Sequence, residues 1–180
     1  MQNTPKGLRL QIGIFGRRNA GKSSLLNALA RQDVAIVSET PGTTADPVEK
    51  AMEMLPLGPV LLIDTAGLDD DAALIGGLRV EKSRKIFERA DIALIVSDAS
   101  WGAFEEKLLS DFAERGTAVI AVFNKTDVAF PPQNVLDSLR ERSVSFVMVS
   151  AGKGEGLGEL REMILRKAPE DFLSSNKMLG

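Results

Sequence analysis

"GRRNAGKSS" (Gly16–Ser24) is the most specific pattern in this sequence. It matches Gly-x-x-x-x-Gly-Lys-Ser, with Gly16, Gly21, Lys22 and Ser23 at the required positions. In that spacing, backbone N–H groups turn inward around phosphate oxygens, the lysine ammonium reaches the terminal phosphates, and the serine hydroxyl ligates Mg²⁺. The run before it alternates like a strand, and the run after it has helical spacing. The sequence therefore predicts a strand, a phosphate-binding loop and a helix, in that order.

Composition narrows the chemistry that the chain can perform. The 180 residues include no cysteine and no histidine, which excludes disulfides, imidazole catalysis and ligation of an iron–sulfur cluster by cysteine. A formal net charge of −3 argues against broad binding to nucleic acids or anionic membranes. The N-terminal residues lack a hydrophobic signal core, and no apolar run approaches the ~20 residues of a membrane span. We therefore expect one cytoplasmic domain with no nucleic-acid or membrane partner.

Alternating strand and helix patterns predict an α/β fold, with a mainly parallel sheet covered by helices on both faces. The predicted strands lie near residues 8–15, 48–55, 59–64, 91–97, 117–123 and 144–149. The predicted helices lie near residues 22–31, 77–89, 103–115, 132–142 and 156–167. The second strand leads through Leu57-Gly58-Pro59 into the third, and this connection is too short for a parallel crossover. The sequence therefore predicts a six-stranded sheet with one antiparallel strand.

A second motif, Asp64-Thr65-Ala66-Gly67, follows the third predicted strand. An aspartate at a strand end can hold Mg²⁺ directly or through a water, and the glycine N–H can meet a γ-phosphate with no side chain in the way. Two polar segments, about 32–47 and 65–77, are predicted long loops, and loops of that length are more often functional than accidental. We expect Asp64 and Gly67 to contact the nucleotide or its metal.

The third motif, Asn124-Lys125-Thr126-Asp127, predicts which nucleotide is bound. The Asp127 carboxylate can accept hydrogen bonds from the ring N–H and the exocyclic amine of guanine, whereas adenine offers no such donor pair. Asn124 can contact the base edge, and the Lys125 stem can lie against its face. The fourth motif is Ser150-Ala151-Gly152. Its small residues let backbone N–H groups approach the guanine oxygen.

With these four ordered motifs, residues 8 to about 167 resemble the TrmE-Era-EngA-like family of P-loop GTPases, which includes tRNA-modification and ribosome-assembly GTPases. The stretches "GRRNAGKSSLLNAL", "VAIVSETPGTTADPV", "MEMLPLGPVLLIDTAGLDD" and "GGLRVEKS" resemble the G domain of the hydrogenase maturation factor F family, whose members help to assemble the FeFe-hydrogenase active site. The resemblance implies a three-layer α/β/α P-loop NTPase fold. It also implies an enzyme that converts GTP to GDP and phosphate with Mg²⁺.

The same resemblance implies a set of site residues. The expected catalytic residues are Lys22, Thr44 and Gly67. The expected ligands of Mg²⁺ are Ser23, Thr44 and Asp64, with Thr43 as the fallback for Thr44. The expected nucleotide contacts are Asn19, Ala20, Gly21, Lys22, Ser23, Ser24, Asp64, Gly67, Asn124, Lys125, Asp127, Ser150, Ala151 and Gly152. A threonine that joins Mg²⁺ only beside a γ-phosphate orders its loop with GTP, so that the loop acts as a switch.

Asn19 adds an expectation about a second cation. In similar GTPases, an asparagine at this place and oxygen groups of the following loop hold K⁺ against the phosphates; here those oxygens come from Ser38, Thr40 and Thr43. Such a cation neutralises transition-state charge where no arginine finger is available. The alternative is an asparagine that only forms the turn. We expect the neighbouring residues Arg17 and Arg18 to face solvent. The alternatives are a contact with phosphate and a role as an internal arginine finger.

The residue that positions the attacking water is not evident. Leu68 stands where Ras-like enzymes carry a water-orienting glutamine. The acids that follow, Asp69-Asp70-Asp71, form a run that is more often a solvated loop tip than a catalytic group. Related potassium-dependent GTPases carry a glutamate further along, but residues 72–77 offer no equivalent. We therefore expect slow intrinsic turnover, no faster than about 1 s⁻¹ with saturating K⁺.

Three functions fit these residues. The first is a timer enzyme whose loops open on hydrolysis. The second is a nucleotide-gated binding module with incidental hydrolysis, and Leu68 keeps this alternative open. The third is a tRNA-modification or ribosome-assembly GTPase, against which the acidic balance argues. The predicted G domain covers residues 1–168, and residues 169–180 are a predicted linker. The resemblance implies that dimerisation and iron–sulfur domains follow this linker, with radical-SAM maturases and the hydrogenase as partners.

Overall fold

The computed structural model describes residues 9–32, 48–65, 84–170 and 172. Its strands are Leu10–Gly16 (β1), Val48–Met54 (β2), Gly58–Asp64 (β3), Ile92–Ser97 (β4), Ala118–Phe123 (β5) and Ser145–Met148 (β6). Its helices are Lys22–Gln32 (α1), the helical residues 84–89 (α2), Ala103–Arg115 (α3), Gln133–Glu141 (α4) and Leu157–Lys167 (α5).

All six strands join in one sheet, in the order β2-β3-β1-β4-β5-β6. β2 pairs antiparallel with β3, with Met54 opposite Gly58 at the hairpin end and Val48 opposite Asp64 at the other. The remaining neighbours pair in parallel. The predicted sheet, mainly parallel with its second strand antiparallel, is confirmed. The short connection is the physical reason, because a tight hairpin can only reverse the chain.

Apolar side chains fill both faces of the sheet. On one face, Ile12 and Leu94 pack in a cluster with Leu29 of α1 and Ile164 of α5. On the other face, the buried residues of β3, β4 and β5 pack with those of α2, α3 and α4. Successive side chains of a strand point to opposite faces, so a strand that is buried throughout supplies both layers. The three-layer α/β/α architecture is therefore confirmed.

The predicted element bounds agree with the structure to within two residues at every described end. Both ends of α3 agree, because Gly116 stops it: the glycine has φ 71°, and its N–H donates to the carbonyls of Phe112 and Ala113. Of the helix predicted at 77–89, residues 84–89 are helical and the rest lie outside the described residues.

The parts of the chain that the structure describes contain no helix that is long and apolar enough to cross a membrane. The expected cytoplasmic location and the domain boundary near residue 168 stay predictions.

Candidate functional site

The four sequence motifs meet at one edge of the sheet. They follow β1, β3, β5 and β6, whose carboxyl ends lie together because these strands run in parallel. The register places Ile14 opposite Asp64 and Phe123 opposite Met148, so the motifs start at similar heights. β1 lies between β3 and β4, which puts it where the strand order reverses. Ligands of open α/β sheets bind beyond the strand ends at such a point.

The first motif folds around the ammonium of Lys22, which belongs to a residue only 4% exposed. Its Nζ donates to the carbonyl oxygens of Gly16 (2.7 Å) and Arg17 (2.8 Å). The Arg17 carbonyl also accepts the N–H of Ala20 at 3.2 Å. This loop therefore fixes a positive charge at the start of α1, where the helix dipole and the first backbone N–H groups also favour an anion.

The middle of this loop has left-handed backbone conformations at Asn19 and Gly21. Asn19 has φ 67° and Gly21 has φ 96°. Asparagine is one of the few residues that adopt this conformation readily, so the structure shows the turn-forming role of Asn19. A Cβ atom on Gly21 would lie 2.1 Å from Nδ2 of Asn124, so glycine is required for the third motif to approach the loop. The potassium contact of Asn19 stays a prediction.

The two candidate Mg²⁺ residues of this edge touch each other. Ser23 Oγ donates a hydrogen bond to Asp64 Oδ2 at 2.8 Å, and Asp64 is 1% exposed at the end of β3. The N–H and Oγ1 of Thr65 both donate to the carbonyl of Ile14, at 3.3 and 2.7 Å, which fixes the exit of β3. Two hard oxygens at this separation match neighbouring positions of an octahedral ion with bonds of about 2.1 Å. The residues present therefore fit Mg²⁺.

Asn124, 3% exposed, joins the third motif to two others. Its Nδ2 donates to the carbonyl of Ala20 at 3.1 Å, and its Oδ1 accepts the N–H of Ala151 at 3.0 Å. Its own N–H donates to the carbonyl of Ser97 at 2.7 Å. The sequence predicted a contact with the base and did not predict these links. An amide has a second hydrogen and a second lone pair, so these links leave Asn124 able to contact a base as well. The base contact itself stays a prediction.

Lys125 and Asp127 are exposed at the same edge. Lys125 has φ 60°, and its Nζ reaches across the first motif to the carbonyl of Asn19 at 2.5 Å. Asp127 Oδ1 accepts the hydroxyl of Ser150, which is 2% exposed, at 2.9 Å. A carboxylate has about four lone-pair sites, so the serine orients Asp127 and leaves it able to accept further hydrogen bonds.

A further carboxylate lies between the basic residues of these motifs. Hydrogen bonds from the hydroxyl (2.5 Å) and the N–H (2.9 Å) of Ser100 hold the pKa of the Asp98 carboxyl below its usual range. The charges of Lys125 and Arg17 act in the same direction, against the effect of partial burial. Asp98 is therefore ionised at neutral pH and balances part of the positive charge.

Comparison with known proteins identifies the family. A family model described as 50S ribosome-binding GTPase matches residues 11–125. The chain belongs to this GTPase family. The predicted GTP-binding and GTP-hydrolysing activity is therefore confirmed, and the family uses Mg²⁺ with GTP and GDP.

This GTPase is similar to curated proteins named tRNA modification GTPase MnmE. It is 42% identical over 159 residues to the one from Heliobacterium modesticaldum, covering 85% of this chain and 33% of the relative. It is 40% identical over 176 residues to the one from Moorella thermoacetica, covering 95% of this chain and 37% of the relative. The chain thus spans about a third of the length of these relatives.

Solved structures of GTPases share the fold. An Era variant from Aquifex aeolicus bound to GDP·AlF4⁻ superposes with a TM-score of 0.69 at 29% identity, over 88% of this chain and 56% of that one. The G domain of the T. maritima FeoB iron transporter superposes with a TM-score of 0.67 at 25% identity, over 89% of this chain and 99% of that one. The predicted P-loop NTPase fold is confirmed.

Several predicted site residues of this GTPase lie outside the described residues. They are Ser38, Thr40, Thr43, Thr44 and Gly67, together with Leu68 and the acids at 69–71. Their roles stay predictions. Of the remaining predicted contacts, Ala20 is buried in the first motif, Ser24 is exposed on the first turn of α1, and Gly152 is exposed beyond β6.

The Arg17 side chain is 42% exposed, so it faces solvent in part, and it also makes a contact that the sequence did not predict. Its Nη2 donates to Oε2 of Glu105 at 3.1 Å, and Glu105 is 1% exposed. Arg18 is exposed, in agreement with the prediction. The sequence contained one signal for a structural role of Glu105, because Gly102 and Glu105 have the spacing of a helix cap. No residue pattern indicated that Arg17 is the partner.

Trp101, which precedes α3, is half-buried. Its ring centre lies 5.4 Å from that of Phe123, the residue before Asn124. Its Nε1 donates to Oε1 of Glu106 at 2.8 Å. Arg142, at the end of α4, donates to the same carboxylate at 2.6 and 2.9 Å. Trp101 therefore connects the start of α3 with the strand that carries the third motif.

Replacing Asn124 with alanine is expected to weaken both folding and nucleotide binding. The change leaves the carbonyl of Ala20 and the N–H of Ala151 without this partner in a buried place, which costs about 2–4 kcal/mol of unfolding free energy. We expect a melting temperature lower by roughly 5–15 °C, measured by circular dichroism. The matched control is Asn134→Ala, a change at an exposed residue of α4. Equal melting temperatures for the two variants would contradict the linking role of Asn124.

Proposed function

We propose that this chain is a switch domain that binds GTP at the edge where the four motifs meet and changes its loops on hydrolysis. The observation that carries the proposal is the direct contact between motifs. Asn124 binds both the first and the fourth motif, Lys125 binds the first, and Ser23 binds Asp64 of the second. One ligand that extends across these motifs would therefore bind to a single connected surface.

The proposed role of the third and fourth motifs is recognition of guanine. Asp127, oriented by Ser150, accepts hydrogen bonds from the ring N–H and the exocyclic amine. The stem of Lys125 lies along the base. The backbone N–H groups of Ala151 and Gly152 approach the guanine oxygen. Adenine would leave the Asp127 carboxylate without its donors, so GTP is favoured over ATP.

The proposed role of the first two motifs is to hold the phosphates. Lys22 and the backbone N–H groups of Gly21 to Ser24 bind phosphate oxygens. Ser23 and Asp64 would hold Mg²⁺, with Thr44 as the third protein group, and the bound ion would supply positive charge beside the phosphates. The Gly67 N–H binds the γ-phosphate. Because Thr44 and Gly67 respond to the γ-phosphate, their segments act as the two switch loops.

Potassium is the proposed activator of hydrolysis. The side-chain oxygen of Asn19, with oxygens of Ser38, Thr40 and Thr43, would hold the ion against the phosphates. This contact is compatible with the turn-forming role, because the turn depends on φ of Asn19 and the cation on its side chain. The proposal explains how charge could be neutralised with Leu68 in place of a glutamine.

Hydrolysis is expected to be at least about tenfold faster in K⁺ than in Na⁺ at constant Mg²⁺, and no faster than about 1 s⁻¹. The diagnostic variant is Asn19→Gly, since glycine keeps the left-handed backbone and removes the amide. It should retain the rate seen in Na⁺ and lose the increase in K⁺. The measurement is phosphate release in matched buffers. Equal rates in both salts, or full activation of N19G, would contradict the potassium site.

For the biological process, we propose maturation of FeFe-hydrogenase. The support is the sequence resemblance around the first motif, the Thr43–Pro47 region and the Leu55–Pro59 hairpin. In the structure, the backbone carbonyl of Leu55 at the tip of this hairpin accepts a hydrogen bond from Arg161 of α5. Leu55 is 66% exposed. The test is expression of the protein that carries this domain with radical-SAM maturases and the hydrogenase, with hydrogenase activity as the readout.

tRNA modification is the second candidate, favoured by the names of the curated relatives at 37–42% identity. The two candidates differ in their response to RNA. A tRNA-modification GTPase is expected to bind tRNA with an affinity that falls steeply with salt, whereas a hydrogenase-maturation domain is not. Filter binding with tRNA at two salt concentrations distinguishes them. Salt-sensitive tRNA binding would replace our first proposal by the second.

A further inference from the structure

A glutamate of α3 is buried beside the first motif. Glu105 is the third residue of the helix and 1% exposed. Its Oε2 accepts the N–H of Gly102 at 3.1 Å and Nη2 of Arg17 at 3.1 Å, and its Oε1 accepts the hydroxyl of Ser97 at 3.4 Å. The bond from Gly102 is a helix cap. The bond from Arg17 serves no cap, and it joins α3 to a loop 88 residues earlier in the chain.

Arg17 connects this carboxylate to Lys22. At one end, the Arg17 guanidinium, 42% exposed, pairs with Glu105. At the other end, the Arg17 carbonyl accepts Nζ of Lys22 at 2.8 Å. A buried carboxylate without its cation is strongly unfavourable, so Glu105 restrains where the Arg17 side chain can lie. The position of α3 is thereby coupled to the carbonyl that orients the Lys22 ammonium.

The surroundings of the pair fit this restraint. A Cβ atom on Gly102 would lie 3.0 Å from Nη2 of Arg17, so the glycine makes room for the guanidinium. On another side, the guanidinium carbon of Arg17 lies 5.9 Å from the ring centre of Phe104, within the range of a cation–π contact. The start of α3 thus provides a carboxylate, an aromatic face and an open space for one arginine.

We propose that Glu105 is a positioning residue for nucleotide binding, which acts through Arg17 on the carbonyl that orients Lys22. The inference rests on the proposed role of the first motif as the phosphate site. It goes beyond that role, because it assigns a function to a residue of α3 outside the four motifs. It also assigns a role to Arg17, which orients the loop of the first motif because its guanidinium is bound to the Glu105 carboxylate of α3.

Glu105→Gln is expected to raise the Kd for GDP about tenfold, because the neutral amide no longer holds Arg17 by charge. The matched control is Glu106→Gln, on the same helix turn, whose carboxylate binds Trp101 and Arg142 instead. E106Q should keep the Kd within about twofold of the wild type. Titration calorimetry with GDP and Mg²⁺ gives the Kd, and thermal melting of each variant reports folding separately.

If E105Q does not fold, two substitutions of Arg17 test the same positioning role. Arg17→Lys keeps the charge beside Glu105 and should bind GDP more tightly than Arg17→Gln, which should lose affinity about tenfold. Equal affinities of E105Q and the wild type, or of R17K and R17Q, would overturn the inference. A wild-type chain that fails to bind GDP would instead overturn the proposed phosphate site.

Discussion

Replacing Asp127 with asparagine is expected to lower the affinity for GDP at least about a hundredfold and to create affinity for xanthosine diphosphate. In the proposed site the carboxylate accepts two hydrogen bonds from guanine, and charge-assisted bonds contribute about 1.5–3 kcal/mol each. Xanthine carries an oxygen in place of the exocyclic amine. An asparagine amide accepts from the ring N–H and donates to that oxygen, so the variant matches xanthine and mismatches guanine.

The measurement is titration of both nucleoside diphosphates into the wild type and the variant. Asp137→Asn is the matched control, because Asp137 is an exposed carboxylate on α4 that pairs with Arg140. It should leave both affinities unchanged. Ser150 can still donate to the asparagine oxygen, so we expect the fold around the fourth motif to persist. If D127N retained guanine specificity, recognition of the base would lie elsewhere.

Replacing Lys22 with methionine is expected to slow hydrolysis by about a thousandfold and to weaken GTP binding. Removal of one preorganised donor from a reacting centre typically lowers the rate by about 10²–10³, and here a full charge is removed as well. The ammonium is nearly fully buried and held by two carbonyls, so water cannot readily take its place. Methionine has a similar length and no charge, which makes the change chiefly electrostatic.

Single-turnover hydrolysis and GDP affinity should be measured together with thermal melting, since Gly16 and Arg17 lose a donor in K22M. Lys107→Met is the matched control, because Lys107 is exposed on α3 and pairs with Asp111. Its rate should equal that of the wild type. A K22M protein that melts normally and hydrolyses GTP at the wild-type rate would remove Lys22 from the mechanism.

The fold could be predicted because its signals are local. Each parallel strand is a short run of large apolar residues, and Gly116 marks a helix end where the structure has one. The antiparallel strand followed from the length of a single connection at Leu57–Pro59. These signals depend on neighbours in sequence, which is why the element bounds agree with the structure to within two residues.

The contacts of the site could be predicted only in part, because they join distant parts of the chain. The motifs gave the residue types and the order, and the parallel sheet brings them to one edge. Asn124 binds Ala20 across 104 positions, and Arg17 binds Glu105 across 88. Spacing within a motif carries no information about such partners. The role of Asn124 between loops and the burial of the Arg17 partner therefore required the three-dimensional structure.

The position of Trp101 has an optical consequence. The chain contains one tryptophan and no tyrosine, so its intrinsic ultraviolet emission arises from a single indole. That indole lies against Phe123, the residue before the third motif, and its N–H is bound to Glu106. A change in wavelength or lifetime therefore reports on one known place in the molecule. The protein carries its own spectroscopic probe beside the proposed base site, and no dye has to be attached.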